Sequence, residues 1–223
     1  MHEESGEAQQ TVRLWDLPVR LVHWSLAVLL PSLWWTWRSG NLELHQKLGL
    51  VTLGLLLFRI LWGIFGSSTA RFTHFVKGPR EIAAYLRGGS PSSIGHNPLG
   101  ALSVIALLGL MTAEVGFGLF AQDVDGEESG PLAQYVSYET ADWARGWHSL
   151  LFNAILALVA VHVLAILFYL VVRRDNLVGP MVTGRKAFKT GVSEPRMAPT
   201  WRIIVAAVIA AGAAWWASTG LKI

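Results

Sequence analysis

Five long apolar stretches, separated by polar segments, dominate the pattern of hydrophobic and polar positions in this 223-residue chain. Each is close to the length of about 20 residues that an α-helix needs to cross a bilayer core of about 30 Å. The pattern therefore predicts an all-α integral membrane protein, in which four transmembrane helices form a bundle and a fifth follows near the C-terminus. The predicted spans cover about residues 17–37, 42–66, 99–121, 149–172 and 203–221.

The polar segments divide the chain into four parts. Residues 1–12 are predicted to be a mobile cytoplasmic tail, and residues 13–186 carry the four-helix domain. Residues 187–202 form a basic cytoplasmic linker, and residues 203–223 hold the additional transmembrane helix. Between the second and third spans, residues 79–87 (PREIAAYLR) predict a short amphipathic helix at the membrane surface.

Composition supports the membrane assignment, and the distribution of basic residues orients the chain. The sequence is 52% hydrophobic with a mean hydropathy of +0.42. With a cytoplasmic N-terminus, the inner segments carry thirteen Lys and Arg residues, and the outer segments carry Arg38, Lys47, Arg145 and Lys222. By the positive-inside rule, we expect the N-terminus in the cytoplasm and the C-terminus in the periplasm. The same rule explains the pI of 9.4 without a nucleic-acid partner.

Four histidines on the predicted spans sort into two pairs by depth. His148 and His162 are 14 residues apart on the fourth span, which places both on one helix face, about 21 Å apart. His23 lies near the inner end of the first span, and His45 near the outer end of the second, which runs the opposite way. We therefore expect His45 to face His148 near the outer surface and His23 to face His162 in the inner half.

Opposed imidazole pairs suit a haem iron with one ring on each side of the porphyrin, whereas zinc would need four donors that converge on one point. The chain has no cysteine, which removes iron–sulfur ligation, thiol catalysis and thioether attachment of c-type haem. The residues thus predict two non-covalent b haems that carry electrons, because both axial positions of each iron are filled. The alternative is that each histidine only hydrogen-bonds a neighbouring helix.

Three further residues in the spans carry hypotheses with open alternatives. Gly49 lies one turn after His45, where the missing side chain leaves room for a flat ligand or for helix packing. Arg59 lies deep enough to need a partner, so it either contacts a haem propionate or extends to the cytoplasmic interface. Glu114, the charged residue of the third span, either relays a proton during quinol oxidation or hydrogen-bonds a neighbouring helix.

The polar connections hold the remaining candidates. We interpret His74 and His96, between the second and third spans, as ordinary loop histidines. The loop over residues 122–142 carries carboxylates but neither Lys nor Arg. This loop either docks a basic electron-transfer partner such as a cytochrome c or is only a solvated connection. Its carboxylates are those of Asp123, Asp125, Glu127, Glu128, Glu139 and Asp142.

Five short stretches carry a family resemblance: LPVRLVHW (17–24), LFRILWG (57–63), KGPR (77–80), GHNP (95–98) and PMVTGRK (180–186). Together with the four histidines, they resemble the prokaryotic cytochrome b561 family, which is similar to the b-type subunits of nickel–iron hydrogenases and formate dehydrogenases. The resemblance covers about residues 12–186. It implies four core helices in the bacterial inner membrane, two b haems with the four histidines as axial ligands, and quinone-linked electron transfer. The fifth span departs from this four-helix pattern.

From these features we expect a di-haem cytochrome b that passes electrons between the quinone pool and a periplasmic redox partner, such as a c-type cytochrome. One alternative is an enzyme that oxidises superoxide and reduces quinone through the same haems. A second is a membrane anchor and electron-transfer subunit of a hydrogenase or dehydrogenase complex. The fifth helix is either a packing helix or a docking face for another subunit.

Overall fold

Long helices make up most of the molecule, and short elements cap one end. The computed structural model describes residues 9–89, 94–123, 129–189 and 191–221. In chain order, the elements are β1 (Gln9–Arg13), α1 (Leu17–Arg38), α2 (Leu42–Phe65), α3 (Phe72–Phe75), α4 (Pro79–Leu86), α5 (Pro98–Phe120), a 3-10 helix (Ala133–Tyr135), α6 (Tyr138–Val171), α7 (Val178–Thr183), β2 (Arg185–Lys189) and α8 (Thr200–Ser218).

Within the described residues, five helices (α1, α2, α5, α6 and α8) are long and apolar enough to cross a membrane. They correspond to the five predicted spans, so the prediction of a helical multi-pass membrane protein is confirmed. The largest difference is at α6, which begins at Tyr138 instead of about Ser149. The polar sequence there is helical because Ser137 caps it, and the Ser137 hydroxyl accepts a hydrogen bond from the Thr140 N–H at 3.3 Å.

Short polar side chains also start α1, α2 and α5. Asp16 accepts a hydrogen bond from the backbone N–H three residues later at 2.9 Å, and Asn41 and Asn97 do the same at 3.1 and 2.7 Å. Pro18 and Pro98 occupy first-turn positions, where a missing N–H leaves no hydrogen bond unmade. The surface helix predicted between the second and third spans is also present, as α4.

The spanning helices pack in a defined order. α1 packs on α2, α2 on α5 and α5 on α6, while α8 packs on α2. In the described parts of the chain, the backbone of α6 is not closely packed against α1 or α2. A buried apolar layer nevertheless joins α2, α5 and α6 through Leu56, Met111 and Ile155, and Leu26 and Leu30 of α1 pack against it. α6 therefore contacts α1 and α2 at this depth through side chains and not through close approach of the backbones.

A two-stranded antiparallel sheet covers the end of the bundle where α1 begins. β1 pairs with β2, and Val12 stands opposite Lys186. The Val12 side chain is completely buried. The sequence did not predict either strand. Residues 9–12 of the expected tail and residues 187–189 of the expected linker belong to this sheet, while residues 1–8 lie outside the described residues.

Below the sheet lies a second core, distinct from the mid-depth layer. The N–H groups of Leu14 and Trp15 donate to the Gly184 carbonyl at 2.8 and 3.1 Å. Gly184 ends α7 with φ of +81°, a conformation that glycine adopts without steric cost. Asp16 accepts a hydrogen bond from the Trp62 indole N–H at 2.8 Å, in addition to capping α1. The buried apolar members of this core are Leu14, Trp15, Val19, Trp62, Ala70 and Ala206.

The linker to α8 is tied to the end of α2. The Ser67 hydroxyl accepts a hydrogen bond from the Ala198 N–H at 3.0 Å, and the Arg202 guanidinium donates to the Phe65 carbonyl at 2.9 Å. Because the Phe65 carbonyl lies in the last turn of α2, where helical partners are missing, this arginine satisfies an otherwise open acceptor. The start of α8 is therefore fixed to the capped end of the bundle.

The buried apolar layer gives a prediction for stability. Ile155→Ala should lower the free energy of unfolding by about 2 kcal/mol, the usual order of cost for a cavity of this size. Lost packing causes this change, because lipid tails are as apolar as isoleucine. Thermal unfolding in detergent measures it. Leu164→Ala on the same helix is the matched control, since Leu164 is 64% exposed, and equal losses in the two variants would contradict the role of the layer.

Candidate functional site

One imidazole pair lies between α1 and α6, toward the capped end of the bundle. His23 lies in the second turn of α1, and its ring centroid is 6.5 Å from that of His162, with 53° between the ring planes. Trp24 stands edge-on to His23 at 5.1 Å, and its indole N–H donates to the Met181 carbonyl at 3.2 Å. The cap therefore holds the part of α1 that carries His23.

A second imidazole pair lies between α2 and α6, toward the opposite end. His45 lies in the first turn of α2, and its ring centroid is 6.1 Å from that of His148, with the ring planes perpendicular. Fourteen residues of α6 separate His148 from His162, which is about 21 Å along the helix axis. The structure thus brings the four histidines together in the two pairs expected from their depth.

The second ring nitrogen has a partner in three of the four histidines. The Nδ1 atoms of His45 and His148 lie 2.9 Å from the carbonyl oxygens of Leu33 and Glu114. A carbonyl only accepts hydrogen bonds, so Nδ1 carries the proton in both rings and the Nε2 lone pair is left for a metal. His162 Nδ1 lies 3.4 Å from the Ser103 hydroxyl. Within the described residues, the buried His23 Nδ1 has no hydrogen-bond partner.

The spacing of each pair fits a metal held between two imidazoles. Two rings on opposite sides of one metal, each bound at about 2 Å, keep their centroids about 6 Å apart. The helices that carry facing rings are not closely packed in the described chain, which suits a flat macrocycle between them. Three or more His, Asp or Glu side chains grouped to hold a metal ion occur nowhere in that part of the chain. The donor geometry therefore fits two bis-imidazole haem sites better than zinc.

Glu114 on α5 supports the His148 ring. Its carboxylate Oε1 lies 3.3 Å from His148 Nδ1, next to the hydrogen bond that the same nitrogen makes with the Glu114 backbone carbonyl. Oε2 is buried and has no hydrogen-bond partner among the described residues. Second partners of this kind fix the orientation of a metal-binding imidazole. The contact favours the hypothesis that Glu114 hydrogen-bonds a neighbouring helix.

Two glycines border the same pair of histidines. A Cβ atom at Gly118 would lie 3.0 Å from Cε1 of His148, so a side chain there would press on the ring. A Cβ atom at Gly49, by contrast, would meet nothing within 4 Å, which agrees with room for a flat ligand beside His45. Sequence reasoning missed Gly118. Its signal is the Gly-Phe-Gly run over residues 116–118 inside an apolar span, where glycine allows close approach.

Arg59 and His96 lie together at the capped end. The Arg59 guanidinium is buried, donates to the Ala70 carbonyl at 3.4 Å and lies 5.3 Å from the Phe72 ring centroid. It therefore does not extend to the surface, and the contacts described for it are made with the cap. His96 packs between Trp15 and Phe75, with ring centroids 4.7 and 4.5 Å away. Burial, and then the nearby Arg59 charge, lowers the pKa of His96 to about 3.

One part of the acidic loop, residues 124–128, lies outside the described residues. Asp125, Glu127 and Glu128 belong to this part. Gln122 and Ser129 form a bridge at the two ends of this gap. Asp142, now on α6, pairs with Arg145 at 2.5 Å on the exposed surface. His74, the other loop histidine, is exposed on α3.

Bilayer-length helices with opposed imidazoles at two depths are typical of membrane-bound b-type cytochromes, in which facing helices hold the cofactor. Residues 14–184 match the family described as prokaryotic cytochrome b561, and the chain belongs to this family. The protein is therefore a membrane b-type cytochrome with an electron-transfer role, and the family implies haem b as its cofactor. The family resemblance inferred from the sequence is confirmed. α8 lies beyond the matched residues.

Among curated proteins, the chain is similar to one from Bradyrhizobium diazoefficiens named probable Ni/Fe-hydrogenase B-type cytochrome subunit. The two are 25% identical over 227 residues, which cover 84% of this chain and 92% of the relative. No solved structure matches the chain. The relative thus extends over nearly the whole molecule at modest identity.

The partly buried His96 predicts a pH dependence of stability. Its folded pKa of about 3 lies below the ordinary value of 6.5, so the unfolded chain binds more protons between these values. Stability should therefore be constant above about pH 6.5 and fall as the pH is lowered toward 3. His96→Phe should remove this component, measured as the difference in Tm between pH 5 and pH 7.5. His74→Gln, at an exposed histidine, is the control, and an unchanged pH difference in His96→Phe would contradict the prediction.

Proposed function

We propose that this protein is a di-haem b-type cytochrome that transfers electrons across the membrane, between the quinone pool and a periplasmic redox partner such as a c-type cytochrome. His23 and His162 would hold one haem, and His45 and His148 the other. The observation that carries the proposal is the presence of two imidazole pairs, with centroids 6.5 and 6.1 Å apart, at two depths of one helix. Electron carriers at two depths are what transfer across a bilayer requires.

The residues around each pair support electron transfer in preference to oxygen activation. A bound b haem supplies one-electron oxidation and reduction at its iron. His23 with His162, and His45 with His148, would leave no open site for a substrate on an iron held between them. Leu33, Ser103 and Glu114 hold the ligand rings in fixed orientations, which limits rearrangement when the charge changes. The apolar layer at Ile155 separates the two sites with packed side chains.

The distribution of basic residues supports one orientation of the protein in the membrane. With the N-terminus in the cytoplasm, the capped end and the His23–His162 pair are on the inner side of the bacterial inner membrane. The His45–His148 pair and the acidic loop are then on the periplasmic side, and so is the C-terminus after α8. The excess of Lys and Arg on the capped side, including Arg13, Lys77 and Arg173, supports this arrangement.

A second candidate function is favoured by the curated relative. Its name describes a hydrogenase cytochrome subunit. This supports a role as the membrane electron-transfer subunit of a hydrogenase or dehydrogenase complex. Both functions use the same two haem sites and differ in the partner. The acidic residues of the periplasmic loop favour a partner with a basic surface in either case.

The pairing predicts haem content. The purified protein should hold two non-covalent haems per chain in a pyridine haemochrome assay. His148→Ala should lose mainly the outer haem and His23→Ala the inner one, because each variant would remove one of the two imidazoles that hold one haem. Redox titration should then show one remaining transition at a different midpoint potential in each variant. The same residual transition in both variants, or one haem in the wild type, would contradict the pairs.

The exposed loop histidine provides the matched control for those variants. His74→Ala should retain two haems and both transitions, since His74 lies outside the spanning helices. A variant that loses all haem is checked by circular dichroism and gel filtration. If an alanine variant loses all haem, His23→Met or His148→Met is measured in its place, because methionine is an accepted ligand of haem iron.

A vesicle experiment tests whether the protein transfers electrons across a membrane. Protein reconstituted into liposomes with a quinone should reduce an impermeant acceptor trapped inside when quinol is regenerated outside, and the double variant His23→Ala/His162→Ala should not. Transfer that is equal in wild type and double variant would contradict transmembrane electron transfer. Co-purification from native membranes distinguishes the partners, since a large redox subunit supports the complex and a soluble c-type cytochrome supports the first proposal.

A further inference from the structure

An apolar groove of about 630 Å³ runs along α2 and α8 on the outside of the bundle, where Val51 and Trp215 are exposed. This volume lies within the range of roughly 300–1,000 Å³ that is usual for small-molecule sites. Val51, Gly54 and Phe58 line one wall, and Ala207, Ala211 and Ala214 line the other. No water in a bilayer core can fill such a groove, so the occupant has to be apolar.

The groove is separate from the histidine pairs. Gly54 is nine residues after His45, which at about 100° per residue places it on the opposite face of α2. α8, the other wall, lies outside the residues 14–184 matched by the family. The groove therefore exists only because α8 is present, and a ligand in it does not require the histidine pairs to hold haem.

The length of the groove corresponds to one leaflet. Its lining on α2 runs from Lys47 to Phe58, and its lining on α8 from Ala207 to Ser218. Eleven residue steps of helix measure about 16.5 Å, and half of a hydrocarbon core of about 30 Å is about 15 Å. The groove thus extends from one membrane surface to mid-depth, as one acyl chain does.

A lysine lines the mouth of the groove, and its carboxylate partner lies one helical turn beyond the lining residues. This lysine is Lys47, and its ammonium lies 2.5 Å from the Glu43 carboxylate one turn earlier. Both side chains are well exposed, at 66% and 78%, so solvent weakens this pair and a ligand displaces it at little cost. Trp215, also at the mouth, belongs to the residue type that anchors at lipid headgroups.

We propose that the groove binds one aminophospholipid of the phosphatidylethanolamine type from the leaflet at the His45 end. One acyl chain lies in the groove along the α2–α8 contact, the phosphate contacts Lys47, and the headgroup ammonium contacts Glu43. The ligand replaces the ion pair within the protein by two ion pairs between protein and lipid, each of which joins opposite charges. An anionic phospholipid without an amine satisfies Lys47 but leaves Glu43 against negative charge, which gives the site its preference.

Native mass spectrometry of the full-length haem-loaded protein tests the proposal. After exchange into liposomes of equal parts phosphatidylethanolamine and phosphatidylglycerol, the wild type should retain one phosphatidylethanolamine per chain. Ala211→Phe should abolish retention, because the new ring fills the groove. Lys47→Gln should lower relative affinity by roughly fivefold, the equivalent of one lysine–headgroup contact. Glu43→Gln should remove the preference for the amine headgroup.

Val208→Phe is the matched control. Val208 is 66% exposed on α8 and does not line the groove, so this variant should bind lipid as the wild type does. Equal lipid retention in Ala211→Phe and Val208→Phe would overturn the site. The site would also be overturned if the wild type retained an isoprenoid quinone instead of a phospholipid and Ala211→Phe lost it. A wild-type dimer that becomes a monomer in Ala211→Phe would show a second copy of the chain in the groove and would overturn the site as well. Unchanged haem spectra and Tm in all variants show that the fold is intact.

Discussion

The packing of Ile155 into the mid-depth layer is the contact on which the arrangement of the spanning helices depends. Ile155 is seven residues from both His148 and His162, on the same face of α6, and it packs in one cluster with Leu56 and Met111. The backbone of α6 is not closely packed against α1 or α2 in the described chain. This layer therefore joins α6 to α1 and α2, and one imidazole pair lies on each side of it along α6.

Sequence reasoning reached the spans and the histidine pairs because both follow from simple periodicities. An apolar run of bilayer length has few alternatives to a helix, and a 14-residue spacing on a helix fixes a common face. It missed β1 and β2 because their partners lie far apart in a polar sequence, and strand pairing of this kind has no local signal. Gly118 was missed for a related reason, since its contact with His148 exists only once α5 and α6 are packed.

Asp16 shows how closely the cap and the bundle are linked. One carboxylate caps α1 and accepts the Trp62 indole N–H of α2, while Trp62 belongs to the same core as Leu14 and Ala70. A buried polar group with all its partners rigidifies its surroundings, and loss of one partner leaves the others unsatisfied. The first two helices, which carry His23 and His45, are thus set relative to one another by contacts at the end of the bundle.

The pairing of β1 with β2 has a consequence for the order of assembly. Gln9 and Lys189 are opposite one another in the sheet, yet they are separated by nearly the whole helical domain in sequence. At synthesis rates of about 5–20 residues per second, the first strand waits roughly 10–35 s for its partner to leave the ribosome. By then the fourth spanning helix has been made. Closure of the sheet therefore reports that the helical core is complete, and a chain truncated before residue 185 would leave its N-terminal strand available to quality-control proteases.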